Sequence, residues 1–283
     1  MRRTYTLRSR GKTLELGRRT CIVGIVNVTP DSFYDGGLHF SPDAAIEHAQ
    51  RLIDEEADIL DFGGQSTRPG SQPIRAREEL DRILPVISRI RKDSSIWISV
   101  DTYRSEVART CLEEGADMIN DVSSFRLDPE MPAVVAEYNV PVVCMHFKDS
   151  IHPMPADPQY QDLFGEILSF FRETFLTAEK AGIKREQIIV DPGIGFGKQL
   201  GHNLSIISGL SFLNELDRPV LAGPSRKSFI GKLTGLPAEH RLEGTAAAVG
   251  ACRQNGAHII RVHDAGYFRR YCDVLDAILN AAE

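Results

Sequence analysis

Eight times along this chain, a short run of β-branched and other apolar residues is followed by a longer stretch whose apolar positions recur at helical spacing. The runs are 21–27, 59–62, 96–101, 118–121, 141–145, 188–191, 219–222 and 259–262, and the helical stretches are 42–56, 74–92, 104–114, 130–138, 159–181, 203–213, 242–255 and 267–281. Parallel strands need long crossovers, and the crossover helices cover the sheet they connect. Eight strand-helix pairs therefore predict an α/β fold, a (β/α)8 TIM barrel, with residues 1–283 as a single domain. Ahead of the first run, 5–7 and 13–16 flank the turn Ser9-Arg10-Gly11-Lys12, which predicts a short N-terminal β-hairpin closing the barrel floor. A doubly wound open sheet would place a phosphate-binding GxGxxG in its first βα turn, where this chain reads NVTPDSF.

Composition removes several classes of function. Lys plus Arg number 33 and Asp plus Glu 39, a formal charge of −6, and the basic residues are scattered rather than gathered on one segment, against a nucleic-acid partner. No apolar run approaches the ~18 residues of a membrane helix. The basic N-terminus lacks the apolar segment of a signal peptide, so the expected location is the cytoplasm. Cys21, Cys111, Cys144, Cys252 and Cys272 are odd in number, widely spaced and mostly inside apolar runs, as reduced core thiols are.

Polar residues recur where the predicted strands end: Asn27, Asp61, Asp101, Asn120 and Asp121, His146, Asp191, then Arg261 and His263. One such residue is as readily a cap or turn former. Seven strand ends of eight, with Arg and His among them, describe a polar pocket on the rim where barrel enzymes build their sites. Three loops rich in Gly, Pro, Ser and Thr, 28–41, 63–73 and 191–198, are longer than simple connections need and read as lids over that pocket. GPSRKSFIG, 223–231, follows the seventh run and is expected to open a short helix whose first turn carries Ser225, Arg226, Lys227 and Ser228, a place suited to anions.

NVTPDSF with Asp35-Gly36-Gly37, then STRPG, VDT, INDVS, DPGIGFGK, GPSRKSFIG and RVHD occur in an order and spacing that resembles the dihydropteroate synthase family from about residue 20 to the end. The resemblance implies a pterin-binding (β/α)8 barrel that joins 6-hydroxymethyl-7,8-dihydropterin pyrophosphate to p-aminobenzoate, giving 7,8-dihydropteroate and pyrophosphate in folate synthesis. It implies Mg²⁺ as cofactor, inhibition by sulfonamides and a homodimer. Asp101, Asp191, Lys227 and Arg261 take the catalytic roles by this resemblance. Asp101, Asn120, Met145, Asp191, Phe196, Gly223 and Lys227 would hold the pterin, with Asp191 accepting paired N–H groups from its pyrimidine edge. Asn27, Thr67, Arg68, Arg261 and His263 would hold the pyrophosphate, Asn27 also being the metal ligand. Thr67, Pro69, Phe196, Lys227 and Ser228 would hold p-aminobenzoate, under a lid carrying Asp31, Ser32 and Phe33.

The chain departs from the family pattern at Gln65, at Tyr34 and in FKDSIHPM after Met145-His146. A pterin-binding paralogue without turnover, or a methyltetrahydrofolate-type methyltransferase domain, shares the barrel. The methyltransferase would have no use for STRPG, SRKS or the Arg261 and His263 pair. A Schiff-base aldolase acting through Lys227 would normally carry its lysine on a strand, whereas this one follows Pro224.

Overall fold

The computed structural model describes residues 3–29, 42–65, 73–151, 155 and 157–281. Strands β1 (Tyr5–Ser9) and β2 (Lys12–Leu16) form the expected hairpin, with Arg10 and Gly11 both at positive φ in its two-residue turn. That conformation matches the right-handed twist of the paired strands. The barrel strands follow as β3 (Cys21–Asn27), β4 (Ile59–Gly63), β5 (Trp97–Asp101), β6 (Met118–Asp121), β7 (Val142–Met145), β8 (Ile188–Asp191), β9 (Leu221–Ala222) and β10 (Ile259–Val262). All pair in parallel, in the order β8-β7-β6-β5-β4-β3-β10-β9, and a bridge between Val190 and Val220 joins the two ends. The barrel is nearly closed.

Helices α1 (Pro42–Asp54), α2 (Ala76–Asp93), α3 (Ser105–Glu113), α4 (Met131–Tyr138), α5 (Leu163–Lys180), α6 (Leu200–Ser208), α7 (Ser228–Thr234), α8 (Leu242–Gln254) and α9 (Ala265–Asn280) lie between and after the strands. Three elements differ from expectation. The seventh strand shortens to Leu221–Ala222 because Pro219 has no N–H for the ladder. The helix expected from 159 begins at Leu163, where the Asp162 side chain accepts the N–H of Gly165. The stretch 203–213 divides at Gly209 into α6 and a 3₁₀ segment, Leu210–Leu216.

Alternation along the strands sorts the side chains into two cores. Ile22, Val26, Leu60, Phe62, Ile98, Val100, Ile119, Val142, Val190 and Ile260 face outward and pack on the helices. Cys21, Val23, Ile59, Trp97, Met118, Val143, Ile189, Leu221 and Ile259 face inward, and Leu7 and Leu16 of the hairpin cap them from below. Lys12 fixes the hairpin there, its Nζ 2.8 Å from buried Asp117, which also takes Arg91 at 2.7 Å. With an apolar floor, the lumen can accept a ligand only at the C-terminal ends of the strands. Among the described residues no helix is long and apolar enough to cross a membrane, and all five cysteines are buried free thiols.

Candidate active site at the open end of the barrel

The inward parity that builds the floor continues upward in steps of two. From Ile59 it reaches Asp61 and Gly63, from Trp97 it reaches Ser99 and Asp101, and from Met118 it reaches Asn120. In the same way Val143 leads to Met145, Ile189 to Asp191, Leu221 to Gly223, and Ile259 to Arg261. Register sets the heights: Asn27 pairs with Gly63, Asp101 with Asn120 and Met145 with Asp191. The structure thus gathers Asn27, Asp101, Asn120, Met145, Asp191, Gly223 and Arg261 around one mouth. Thr67, Arg68 and Pro69, and Asp31, Ser32, Phe33 and Tyr34, lie outside the described residues.

Arg261 is the centre of the polar cluster. Its Nε donates to Asp61 Oδ2 at 2.6 Å and one terminal nitrogen donates to Asp101 Oδ2 at 2.9 Å. Asn120 Nδ2 donates to the same Asp61 oxygen at 3.0 Å. Burial pushes the Asp101 carboxyl above its ordinary range and nearby Asp61 adds to this, against the pull of Arg261. The bland reading of Asp101 as a cap for the next helix does not hold, because Asp128 accepts the Ser105 N–H at 2.7 Å instead.

Asp191 is buried, and its Oδ1 accepts the Gly193 N–H at 2.7 Å. Desolvation raises its carboxyl, opposed by that bond and by Lys227 and Lys198. Lys227 is driven down to about 8, by burial first and by Arg261 second. Its Nζ lies 4.3 Å from the centre of the Phe196 ring, so cation and aromatic wall adjoin. Met145 is buried with Val122, Phe147 and Ile151, with Phe196 packed against them.

The loop 191–198 is tied down rather than a free lid. Lys198 Nζ reaches His146 Nδ1 at 2.9 Å and the Phe196 carbonyl at 2.9 Å, and Asn203 accepts the Gly195 N–H at 2.7 Å. Gly193 sits at φ +68°, where a Cβ would collide with the His146 carbonyl, so only glycine fits. Burial lowers Lys198 to about 7 and holds the His146 imidazole well below its usual range.

GPSRKSFIG is arranged differently from expectation. The helix starts at Ser228, with Lys227 as N-cap, so Ser225, Arg226 and Lys227 form the turn before it. Arg226 points to Asp264 at 2.5 Å, and Ser225 Oγ is 2.9 Å from His263 Nδ1. The rim residues also divide. Asp121 caps its own turn, taking N–H groups from Ser123 at 2.8 Å and Phe125 at 2.7 Å, and is pushed up to about 6 by burial. It and His146 have the outward parity, whereas Asp61 and Gly63 join the site without having been given a role in it. Strand parity carries the signal for both.

Gln65, one of the departures, has a structural part. Its Oε1 accepts Arg104 at 2.9 Å and the Ile74 N–H at 3.3 Å. Arg104 also meets buried Glu79 at 2.5 Å. An amide suits this position because Glu79 already supplies the negative partner of Arg104.

A barrel whose floor is apolar and whose mouth presents carboxylates, an amide, a lysine and an arginine beside an aromatic wall is an enzyme of the (β/α)8 class with a site for a polar ligand. Residues 23–263 match the family described as "Pterin binding enzyme". Dihydropteroate synthase of Bacillus subtilis (strain 168) is 43% identical over 277 residues, 98% of this chain and 95% of the relative. Among solved structures, dihydropteroate synthase of Yersinia pestis with a sulfonamide drug has a TM-score of 0.91 at 39% identity, covering 98% of this chain and 99% of that one. The enzyme of Xanthomonas albilineans in complex with 7,8-dihydropteroate has a TM-score of 0.87 at 42% identity, covering 97% and 98%. The chain belongs to the dihydropteroate synthases, within the pterin-binding enzyme family.

Proposed function

We propose that this chain condenses 6-hydroxymethyl-7,8-dihydropterin pyrophosphate with p-aminobenzoate, releasing pyrophosphate and forming 7,8-dihydropteroate. The observation that carries the reading is the convergence of Asp101, Asn120, Asp191, Lys227 and Arg261 on one mouth above an apolar floor. Asp191 keeps Gly193 on Oδ1 and offers Oδ2 to the paired N–H donors of the pyrimidine edge. Asn120 and Asp101 meet further edge atoms, Lys227 donates to the ring carbonyl and N5, Gly223 leaves room beside it, and Met145 and Phe196 form the apolar walls of the slot.

Bond breaking precedes attack. The methylene C–O bond cleaves with its electron pair going to pyrophosphate, leaving a pterin cation that the Asp101 and Asp191 carboxylates stabilise. The neutral arylamine of p-aminobenzoate then attacks the methylene carbon through its lone pair and loses one proton, so a strong general base is not required. Thr67, Pro69, Phe196, Lys227 and the N–H groups at Ser228 receive the benzoate, and the loops bearing Asp31, Ser32, Phe33 and Arg68 shield the cation from water.

Asn27, Arg261 and His263 receive the pyrophosphate, and Mg²⁺ fits beside them. Asp61 and Asp101 both hold the Arg261 guanidinium, so much of its charge is already matched and a further cation would help an anionic leaving group here. Gly63 lacks the side chain that would fill the space between Asn27 Oδ1 and Asp101 Oδ2, where a Cβ would lie 3.7 and 3.8 Å from those oxygens. Hard oxygen donors flanking an open volume suit Mg²⁺, which retains several waters. When bound, the ion neutralises charge developing on the departing pyrophosphate.

Sulfonamides, which share the para-substituted aniline of p-aminobenzoate, would compete for its pocket. Tyr267, Val274 and Ile278 form one exposed apolar stripe on α9, 37%, 63% and 62% accessible, and support a homodimer joined there. Five buried free thiols accord with a cytoplasmic protein. The decisive assay is pyrophosphate release that requires both p-aminobenzoate and Mg²⁺. Binding of the pterin substrate without release would identify a paralogue that does not turn over, and methyl transfer from methyltetrahydrofolate would identify the other barrel enzyme.

A further inference from the structure

We infer that Asp61 is a positioning residue for expulsion of the pyrophosphate: one of its oxygens orients both the Arg261 guanidinium and the Asn120 amide. The inference rests on the proposed reaction. Asp61 lies on β4 one inward step below Gly63, 1% exposed, with Arg261 and Asn120 as its hydrogen-bond donors. Substrate at the mouth meets those donors rather than the carboxylate.

The geometry at Oδ2 fixes two orientations together. A carboxylate only accepts, so Asn120 must turn its NH2 group toward Asp61 and its carbonyl oxygen the other way. The same oxygen takes Arg261 Nε, while Asp101 takes one terminal nitrogen, so the guanidinium plane is gripped at two points. The remaining N–H groups of its fork stay available to an anion. Asp61 Oδ1 is buried and has no hydrogen-bond partner among the described residues, so the side chain is not a general knot of the core. A buried ion pair is a weak device for stability, since apolar side chains of similar volume hold a core at least as well. Its evident use here is directional.

Asp61→Asn tests this, because the amide oxygen can occupy the Oδ2 position and still accept from Asn120, whereas the negative charge that holds the Arg261 guanidinium in place is lost with little change of shape. Turnover of the full chain would be followed with radiolabelled p-aminobenzoate. We expect kcat to fall at least about ten-fold, with the affinity for pyrophosphate-free pterin changed less than about three-fold. In an Arg261→Gln background the same Asp61→Asn change should alter the residual kcat less than about two-fold, because residues acting through one another are non-additive. Equal losses in both backgrounds, or an unchanged kcat in the single variant, would overturn the inference. If Asp61→Asn does not fold, Asp61→Glu replaces it: the charge is kept but its oxygens are displaced by one methylene, so kcat should fall about ten-fold or more, and near-normal kcat would refute the role. Absence of p-aminobenzoate-dependent turnover in the unaltered chain would instead sink the proposed reaction.

Discussion

Asp191→Asn should damage pterin binding while leaving the free protein intact or more stable. In the native site Oδ1 holds the Gly193 N–H at 2.7 Å, leaving Oδ2 for the heterocycle. An asparagine can keep its oxygen on Gly193 and turn its NH2 group toward the pterin donors, or flip and turn it toward the Gly193 N–H. Either way donor faces donor in a buried place. Loss of a charge-assisted bond, about 1.5–3 kcal/mol, together with an unsatisfied buried donor brings the cost to about 3–5 kcal/mol. That is roughly two to three and a half decades in Kd. Stability moves the other way. Burial makes the folded Asp191 carboxyl bind its proton more tightly than the unfolded one, so ionisation costs stability at neutral pH, and that cost disappears below the unfolded carboxylate range. Asparagine carries no such cost. Calorimetric titration with 6-hydroxymethylpterin, paired with thermal unfolding at pH 7, reads both effects. A Kd within about five-fold of the parent would refute the assigned contact, and a lower melting temperature would refute the assigned cost.

Three other perturbations probe separate parts of the molecule. Gly63→Ala fits sterically, its Cβ 3.5 Å from Asp101 Cβ, yet occupies the space beside Asn27 Oδ1; folding should be unchanged while Mg²⁺ affinity in the presence of pyrophosphate falls, and an unaltered Mg²⁺ titration would remove that space from the metal site. With Lys227 driven down to about 8, kcat/KM for the pterin substrate should decline as pH rises through that value and the ammonium is lost; a profile flat to pH 9.5 or so would refute its donor role. Asp276→Ala should leave buried Arg253 without its counter-charge and Thr20 without the acceptor 2.6 Å from its N–H, costing about 3–5 kcal/mol, seen as a lower urea midpoint with an unchanged slope.

Much of this protein could be read from its residues alone. Strand and helix periods are local properties of the backbone, so β3, β6, β8 and β10 begin and end where alternation and apolar runs place them. The resemblance carried by DPGIGFGK, GPSRKSFIG and RVHD drew attention to Asp191, Lys227 and Arg261. Tertiary structure decided which rim residues share the lumen. Asp61 and Asp121 both lie near the ends of apolar runs, yet register and parity turn one inward to Arg261 and the other outward to cap its own turn. That outcome depends on a partner 200 positions away, brought within 2.6 Å only when the barrel closes through β10. The same holds for Lys198, whose anchoring to His146 makes a loop that reads as a lid into a fixed wall. Local sequence dictates period, whereas the partner of a buried charge is chosen by the packing of strands far apart in the chain.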